Sequence, residues 1–300
     1  MTALGLGPED MLVAGSRALA VASLFLAFGT LLMRGCIATA DPLADRRLRR
    51  LQWDALASAG ATAVLWCGME AAAMAGTASP GATLAVLPTV LAETAFGRVQ
   101  LIRLALLALT ALVLAAPGRR AVCAAAALAG LAVLLQAAML HGYAMQQGLS
   151  LLLVVEALHV LAAASWLGAL PALAILVAQS PPRDAAHAAG RFSIIGIAAV
   201  AALAVSAGVQ SWQLVGTWEG LFGSPYGRIA LGKLLLFTLL VGFAARNRLR
   251  LVPQAGAGNA TAQARLRHSI ASATVLGFVV IALAALLGTM APAIDLGGAG

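Results

Sequence analysis

Repeated apolar runs of roughly the length that crosses a bilayer as helix constrain this chain more than any other feature. Hydrophobic residues make up 62% of its 300 residues and charged residues only 10%, whereas soluble domains carry about 25% charged residues. The sequence therefore excludes a soluble domain. It predicts an all-α, polytopic membrane protein whose main partner is the lipid bilayer.

The positions of these runs predict eight transmembrane helices. They cover residues 11–37, 51–76, 96–116, 121–140, 149–179, 192–215, 226–245 and 269–290. Pro171 is expected to kink the fifth span. Residues 77–89 are expected to include a short surface or re-entrant helix, and residues 246–268 to form a basic, flexible connection.

Basic residues cluster in the loops after the odd-numbered spans. These residues are Arg46, Arg47, Arg49, Arg50, Arg119, Arg120, Arg183, Arg246, Arg248, Arg250, Arg265 and Arg267. Because cytoplasmic loops of membrane proteins carry an excess of Lys and Arg, this pattern predicts that both termini face away from the cytoplasm. Orientation therefore explains the net charge of +8, and we expect no nucleic-acid partner.

An internal repeat relates residues 94–107 (TAFGRVQLIRLALL) to residues 224–237 (SPYGRIALGKLLLF). The aligned pairs are Phe96 with Tyr226, Gly97 with Gly227, Arg98 with Arg228, and Arg103 with Lys233. An even number of predicted spans separates the copies, so the two copies have the same orientation. The repeat predicts two four-helix halves in a tandem parallel arrangement, residues 1–145 and 146–300.

Methionines lie mostly at the predicted outer ends of the spans. Apart from the initiator and Met33, they are Met11, Met69, Met74, Met139, Met145 and Met290. Thioethers favour soft ions such as Cu(I), and imidazoles suit copper in either state. The pattern favours a copper site on the outer side, although methionine is also a common packing residue in apolar sequence.

The stretch 139–171 joins the two halves and contains His141 and His159, two of the four histidines. Glu156 lies one helical turn before His159, and an ionisable residue within a span usually marks a functional site. His159 lies about 15 Å deeper than His141, which disfavours one haem bound by both and favours a stepwise path for an ion. Alternatively, His159 hydrogen-bonds a neighbouring helix. The candidate metal ligands are His141, His159, Glu156, Met139, Met145, Met69, Glu70 and Met74.

Two basic residues are expected inside the membrane, Arg103 and Lys233, the sole lysine. Charges in the bilayer interior usually pair with each other, so Glu70 and Glu156 are their candidate partners. The alternative role is to gate the path or to exclude protons and anions. The sequence contains no nucleotide-binding loop, hydrolase nucleophile elbow or paired-carboxylate site, and we expect no enzymatic activity.

Several stretches together resemble the copper-resistance D family (CopD/PcoD-like), eight-span inner-membrane proteins of bacteria. They are EALHVLAAASWLGALP (156–171), GRFS (190–193), SPYGRIALGKLLLF (224–237), the AARNRLRLVP run ending at Pro253, and LLGTMAP (286–292). The resemblance implies copper movement across the inner membrane, commonly uptake from the periplasm, and a periplasmic copper-binding partner of the CopC type. The chain departs from the family pattern at Ala20 and Glu156, where relatives often have histidine, and near Ala273, where they often have glutamate.

Three functions remain open from the sequence. The first is a copper permease that takes the ion from the periplasm through Met and His ligands. The second is a membrane electron-transfer protein that binds b-type haem or quinone. The third is a non-transporting sensor or scaffold for a periplasmic copper protein.

Overall fold

The computed structural model describes residues 7–37, 41–76, 79–140 and 150–290, and within these ranges the regular structure is helical, with no strand. The helices are α1 (Pro8–Cys36), α2 (Pro42–Ala75), α3 (Pro80–Glu93), α4 (Ala95–Leu114), α5 (Arg119–Leu140), α6 (Ser150–Trp166), α7 (Leu170–Gln179), α8 (Pro182–Leu214), α9 (Trp218–Gly223), α10 (Pro225–Arg246), a π-helical segment (Asn247–Leu251), α11 (Val252–Gly256) and α12 (Ala260–Leu287). Among the described residues, eight stretches are long and apolar enough to cross a membrane. The predicted fold class is confirmed, and α3 is the predicted short helix.

Several helices extend well beyond their predicted spans at the arginine-rich end. Helix α2 has 34 residues, which at 1.5 Å per residue is about 51 Å against a hydrocarbon core of about 30 Å. Its start is fixed by Asp41, whose side chain accepts a hydrogen bond from the Leu43 amide at 2.8 Å. Residues 246–268 are also mostly helical, so the prediction of a flexible connection there is wrong. Only residues 257–259 interrupt the helices of that stretch.

The fifth span is broken between α6 and α7, close to the predicted kink at Pro171. Proline has no backbone N–H, so a continuous helix would lose the hydrogen bond to the Leu167 carbonyl. The break also brings two glycines together, because Gly168 packs on the backbone of Phe25 and Gly29 packs on the backbone of Gly168. A Cβ at either glycine would overlap those backbone atoms. Close approach of helix backbones at small residues is typical of membrane proteins.

Helix α1 occupies the centre of the molecule. It packs against α2 and α5 on one side, and against α6, α7 and α12 on the other. Its inner residues Leu24, Ala27 and Leu31 are almost completely buried. The two predicted halves therefore meet along this helix.

The two copies of the internal repeat share a local structure. Thr94 accepts a hydrogen bond from the Gly97 amide at the start of α4, and Ser224 accepts one from the Gly227 amide at the start of α10, both at 2.9 Å. Each glycine packs on the backbone of the short helix that precedes it, α3 or α9, where a Cβ would not fit. The wider claim of a tandem parallel repeat, with a boundary at residue 145, stays a prediction.

Candidate metal site

A cavity of about 290 Å³ lies where α1, α6, α8, α10 and the end of α12 converge. Its polar lining comes mainly from Arg17 on α1, Glu156 and His159 on α6, and Tyr226 and Lys233 on α10. Gln136, Gln210 and a larger number of apolar side chains make up the rest of the wall. The cavity thus gathers ionisable groups from both halves within the membrane-spanning part of the bundle.

His159 is held by a serine on the neighbouring helix α8. Its Nδ1 lies 2.9 Å from the Ser206 hydroxyl oxygen, and that hydroxyl donates its own proton to the Ala202 carbonyl at 2.6 Å. Because a serine hydroxyl has only one proton, its oxygen must accept from Nδ1–H. The neutral imidazole therefore carries its proton on Nδ1 and keeps the Nε2 lone pair available for a metal ion.

Glu156 is 6% exposed and shares the cavity with His159, as expected from their spacing of one turn. The charged groups that act on it are Lys233 and Arg17. Within the described part of the chain, however, neither forms an ion pair with Glu156 closer than 4.0 Å. The prediction of a charge pair for Lys233 therefore holds only as a longer-range interaction across the cavity.

Arg17 is a site residue that the sequence analysis missed. Its guanidinium lies against the backbone of Gly288, which leaves no room for a Cβ there, and its Cζ is 5.6 Å from the centre of the Trp66 ring. Glu70 and Glu156 both lie within electrostatic range of it. The sequence does contain a signal for it, because an arginine inside the apolar run VAGSRALAV is as unusual as the membrane charges that the sequence analysis named.

Arg103 is completely enclosed in the first half of the molecule, but not by a carboxylate. Its guanidinium donates to the side-chain oxygens of Gln100 at 3.0 Å and Gln136 at 2.8 Å, and its Cζ lies 5.7 Å from the centre of the Trp66 ring. Within the described residues, Arg103 thus forms no ion pair with a carboxylate. Two neutral amides and an aromatic ring stabilise the buried cation instead.

The other candidate ligands lie apart from His159 or outside the described residues. Glu70 accepts a hydrogen bond from the Trp66 indole at 3.1 Å and does not line the cavity. Met69 and Met139 are half-buried and do not line the cavity, and Met74 is 51% exposed. His141 and Met145 lie outside the described residues.

Met290, the last described residue, does line the cavity beside Glu156 and His159. It belongs to the methionine pattern but was not among the candidate ligands. Within the described ranges, no three His, Cys, Asp or Glu side chains come close enough to hold one metal ion. The described site therefore offers an imidazole, a carboxylate and a thioether, with two cations nearby.

Comparisons with known proteins assign the sequence to a family. The sequence model "Copper resistance protein D-like, N-terminal domain" matches residues 8–151, and "Copper resistance protein D" matches residues 186–287. The chain belongs to the copper resistance protein D family. It is thus a copper-related, multi-pass membrane protein.

A curated relative supports the same assignment. The copper resistance protein D of Pseudomonas syringae pv. tomato is 31% identical over 154 residues, which span 47% of this chain and 50% of that protein. The match thus spans about half the length of that relative. No solved structure matches the chain.

Proposed function

We propose that this member of the copper resistance protein D family carries copper ion across the bacterial inner membrane, taking it up from the periplasm. The observation that carries the proposal is the cavity lined by both His159 and Glu156, in which the His159 Nδ1 is hydrogen-bonded to Ser206 and Nε2 is the ring nitrogen left to bind an ion. Copper entering the membrane must exchange water for such ligands. Imidazole suits both oxidation states of copper, and the Met290 thioether favours Cu(I).

The cations of the cavity give the site a physical means of releasing its cargo. Arg17 and Lys233 raise the free energy of a bound cation and so offset the attraction of Glu156. A transport site must bind well enough to admit the ion and weakly enough to let it leave. Met139, His141 and Met145 follow the cavity residue Gln136 closely in sequence, and in this proposal they would supply the entrance from the periplasmic side.

The partners follow from the same proposal. A periplasmic copper-binding protein of the CopC type would deliver the ion to the outer surface, where both termini would also lie. We propose a transporter and not an enzyme. Copper is then the cargo of the site, held only during transport.

The test is a comparison of two histidine variants. His159→Ala should lower cellular copper accumulation at least about tenfold. Loss of a residue that supports a metal ligand typically costs 10–100-fold in affinity or activity, and loss of the ligand itself should cost no less. His187→Ala is the matched control, since His187 is exposed at the arginine-rich end of α8. Copper is measured by elemental analysis of cells with equal protein levels. Equal accumulation in wild type and His159→Ala would contradict the proposal.

Two measurements on purified protein separate the alternative functions. A b-type haem would give a strong Soret absorption band, and we expect a colourless protein that binds copper. A non-transporting scaffold would bind copper, but no copper would enter proteoliposomes that contain it. We expect copper to enter the proteoliposomes, and to do so much more slowly with His159→Ala.

A further inference from the structure

A second cavity, of about 420 Å³, lies between α8 and the stretch from α10 to α11. Its walls include Trp166, Leu170, Phe192, Gly196 and Leu240, and none of Glu156, His159 and Lys233 lines it. Helices α8 and α10 scarcely touch each other. Only 6% of the most apolar stretch of the α10 span is buried within the chain, so the gap between the helices opens toward the bilayer.

The end of this cavity near the π-helical segment is basic. Arg248 lines it, and the exposed side chains of Arg246, Arg250 and Arg191 lie on the same helix ends. Among the described residues, no Asp or Glu lines the cavity. The electrostatic environment at this end therefore favours an anionic group, for which an arginine supplies charge-assisted hydrogen bonds.

The wall also contains the indole N–H of Trp166, a hydrogen-bond donor with no acceptor among the described residues. Trp166 is 3% exposed, and its indole N–H donates to no other described residue. A Cβ placed on Gly196 would lie 3.6 Å from the Trp166 Nε1, so the absence of a side chain at Gly196 leaves space next to this donor. Buried indole N–H groups usually have an acceptor. Gly196 lies five residues from Arg191, about 7.5 Å further into the membrane.

We propose that this cavity binds one anionic glycerophospholipid from the arginine-rich leaflet. Its phosphate would contact Arg248, an ester carbonyl would accept from the Trp166 indole, and an acyl chain would fill the gap between α8 and α10. Along α8, the rise from Arg191 at the basic end to Gly196 beside the Trp166 indole is about 7.5 Å, which is of the order of the separation of phosphate from ester in one lipid. Neither an isoprenoid quinone nor a zwitterionic lipid brings the net negative charge that the basic end favours.

Native mass spectrometry of the detergent-purified protein tests this site. The protein is incubated with equal amounts of phosphatidylglycerol and phosphatidylcholine of identical acyl chains. We expect one phosphatidylglycerol to remain bound at low micellar activation. Arg248→Gln should weaken its retention about tenfold, and Trp166→Phe, which keeps the ring but removes the donor, should weaken it several-fold.

Arg250→Gln is the matched control, because it removes an equally exposed arginine two residues away that does not line the cavity. Both arginines are on the surface, so neither change threatens folding. Gly196→Leu should expel the lipid by filling the cavity, while His159→Ala should leave it bound. Equal retention of the two lipids, equal loss in both arginine variants, or co-purification of a quinone at this site would overturn the proposal.

Discussion

At the scale of single residues, the hydroxyl of Ser206 decides what His159 can do. This hydroxyl donates its only proton to the Ala202 carbonyl, so its oxygen accepts a hydrogen bond from the imidazole Nδ1–H. Without it, the ring could rotate or carry its proton on Nε2, and the nitrogen that we propose binds copper would lose its lone pair. Residues that support a metal ligand in this way are typically worth 10–100-fold in affinity.

Ser206→Ala should therefore lower copper affinity by about 10–100-fold while leaving the fold intact. Copper affinity is measured on purified protein by competition with a chromogenic chelator. Ser165→Ala is the matched control, because the Ser165 hydroxyl also donates to a carbonyl of its own helix, at 2.7 Å, and does not contact His159. Restored affinity in Ser206→Thr would show that the hydroxyl is what matters. Unchanged affinity in Ser206→Ala would remove the positioning role.

Sequence could locate some of these residues but not their partners. Glu156 and His159 stand out because ionisable residues are rare in apolar runs, and their spacing of one turn predicts the shared face. The glutamine partners of Arg103 are 3 and 33 positions away, and a sequence pattern does not distinguish an amide partner from a carboxylate. Arg17 depends on Gly288, at the opposite end of the chain, which only the packed structure brings to it.

At the scale of helices, the contact between α1 and the break in the fifth span joins the two sides of the molecule. Gly29 and Gly168 meet there with backbone against backbone. The same break orients α6, which carries Glu156 and His159. A change in this contact should therefore affect both the stability of the fold and the geometry of the cavity.

Gly168→Ala should destabilise the protein by about 1–3 kcal/mol or more, because overpacking costs that much and here the obstacle is backbone. The expected readout is a clearly lower midpoint of thermal unfolding in detergent. Gly208→Ala is the control: Gly208 lies inside α8, and a Cβ there would meet nothing within 4 Å. That variant should be neutral or slightly stabilised, since alanine is the better helix former. Equal midpoints for the two variants would contradict the role of the contact.

Hydropathy predicted the existence of all eight spans because a bilayer requires a minimum length of apolar helix. It placed the starts of α2, α8 and α12 about two to three turns too late, measured at 3.6 residues per turn. Those first turns are polar and arginine-rich, so they do not register as membrane segments. Their true starts carry local signals, namely Pro42 after Asp41, Pro182, and Asn259, whose side chain accepts from the Ala262 amide at 3.0 Å.

At the scale of the whole molecule, the two ends of the bundle differ in chemistry. At one end, Arg17 brings the start of α1 to the end of α12 and to Trp66 on α2. At the other end, the Arg119 side chain donates to the Gly35 carbonyl at 3.0 Å. The Gln263 amide similarly donates to the carbonyls of Val177 and Ser180. The metal-ligand candidates lie toward the first end, and most arginines toward the second.

This asymmetry predicts the orientation of the protein and therefore the side of the membrane from which copper would reach His159 in the proposed function. Reporter insertions at Gly216 and Gly258 form a matched pair, because both glycines have positive φ in short breaks between helices, 72° and 88°. Alkaline phosphatase, which is active only outside the cytoplasm, should be active at Gly216 and inactive at Gly258, with a cytoplasmic fluorescent reporter giving the reverse. The reason is the positive-inside bias of the arginines around Gly258. The opposite result would put the cavity nearer the cytoplasm, and uptake through His159 would then have to begin at the arginine-rich end, opposite to the end where most of the methionines are predicted to lie.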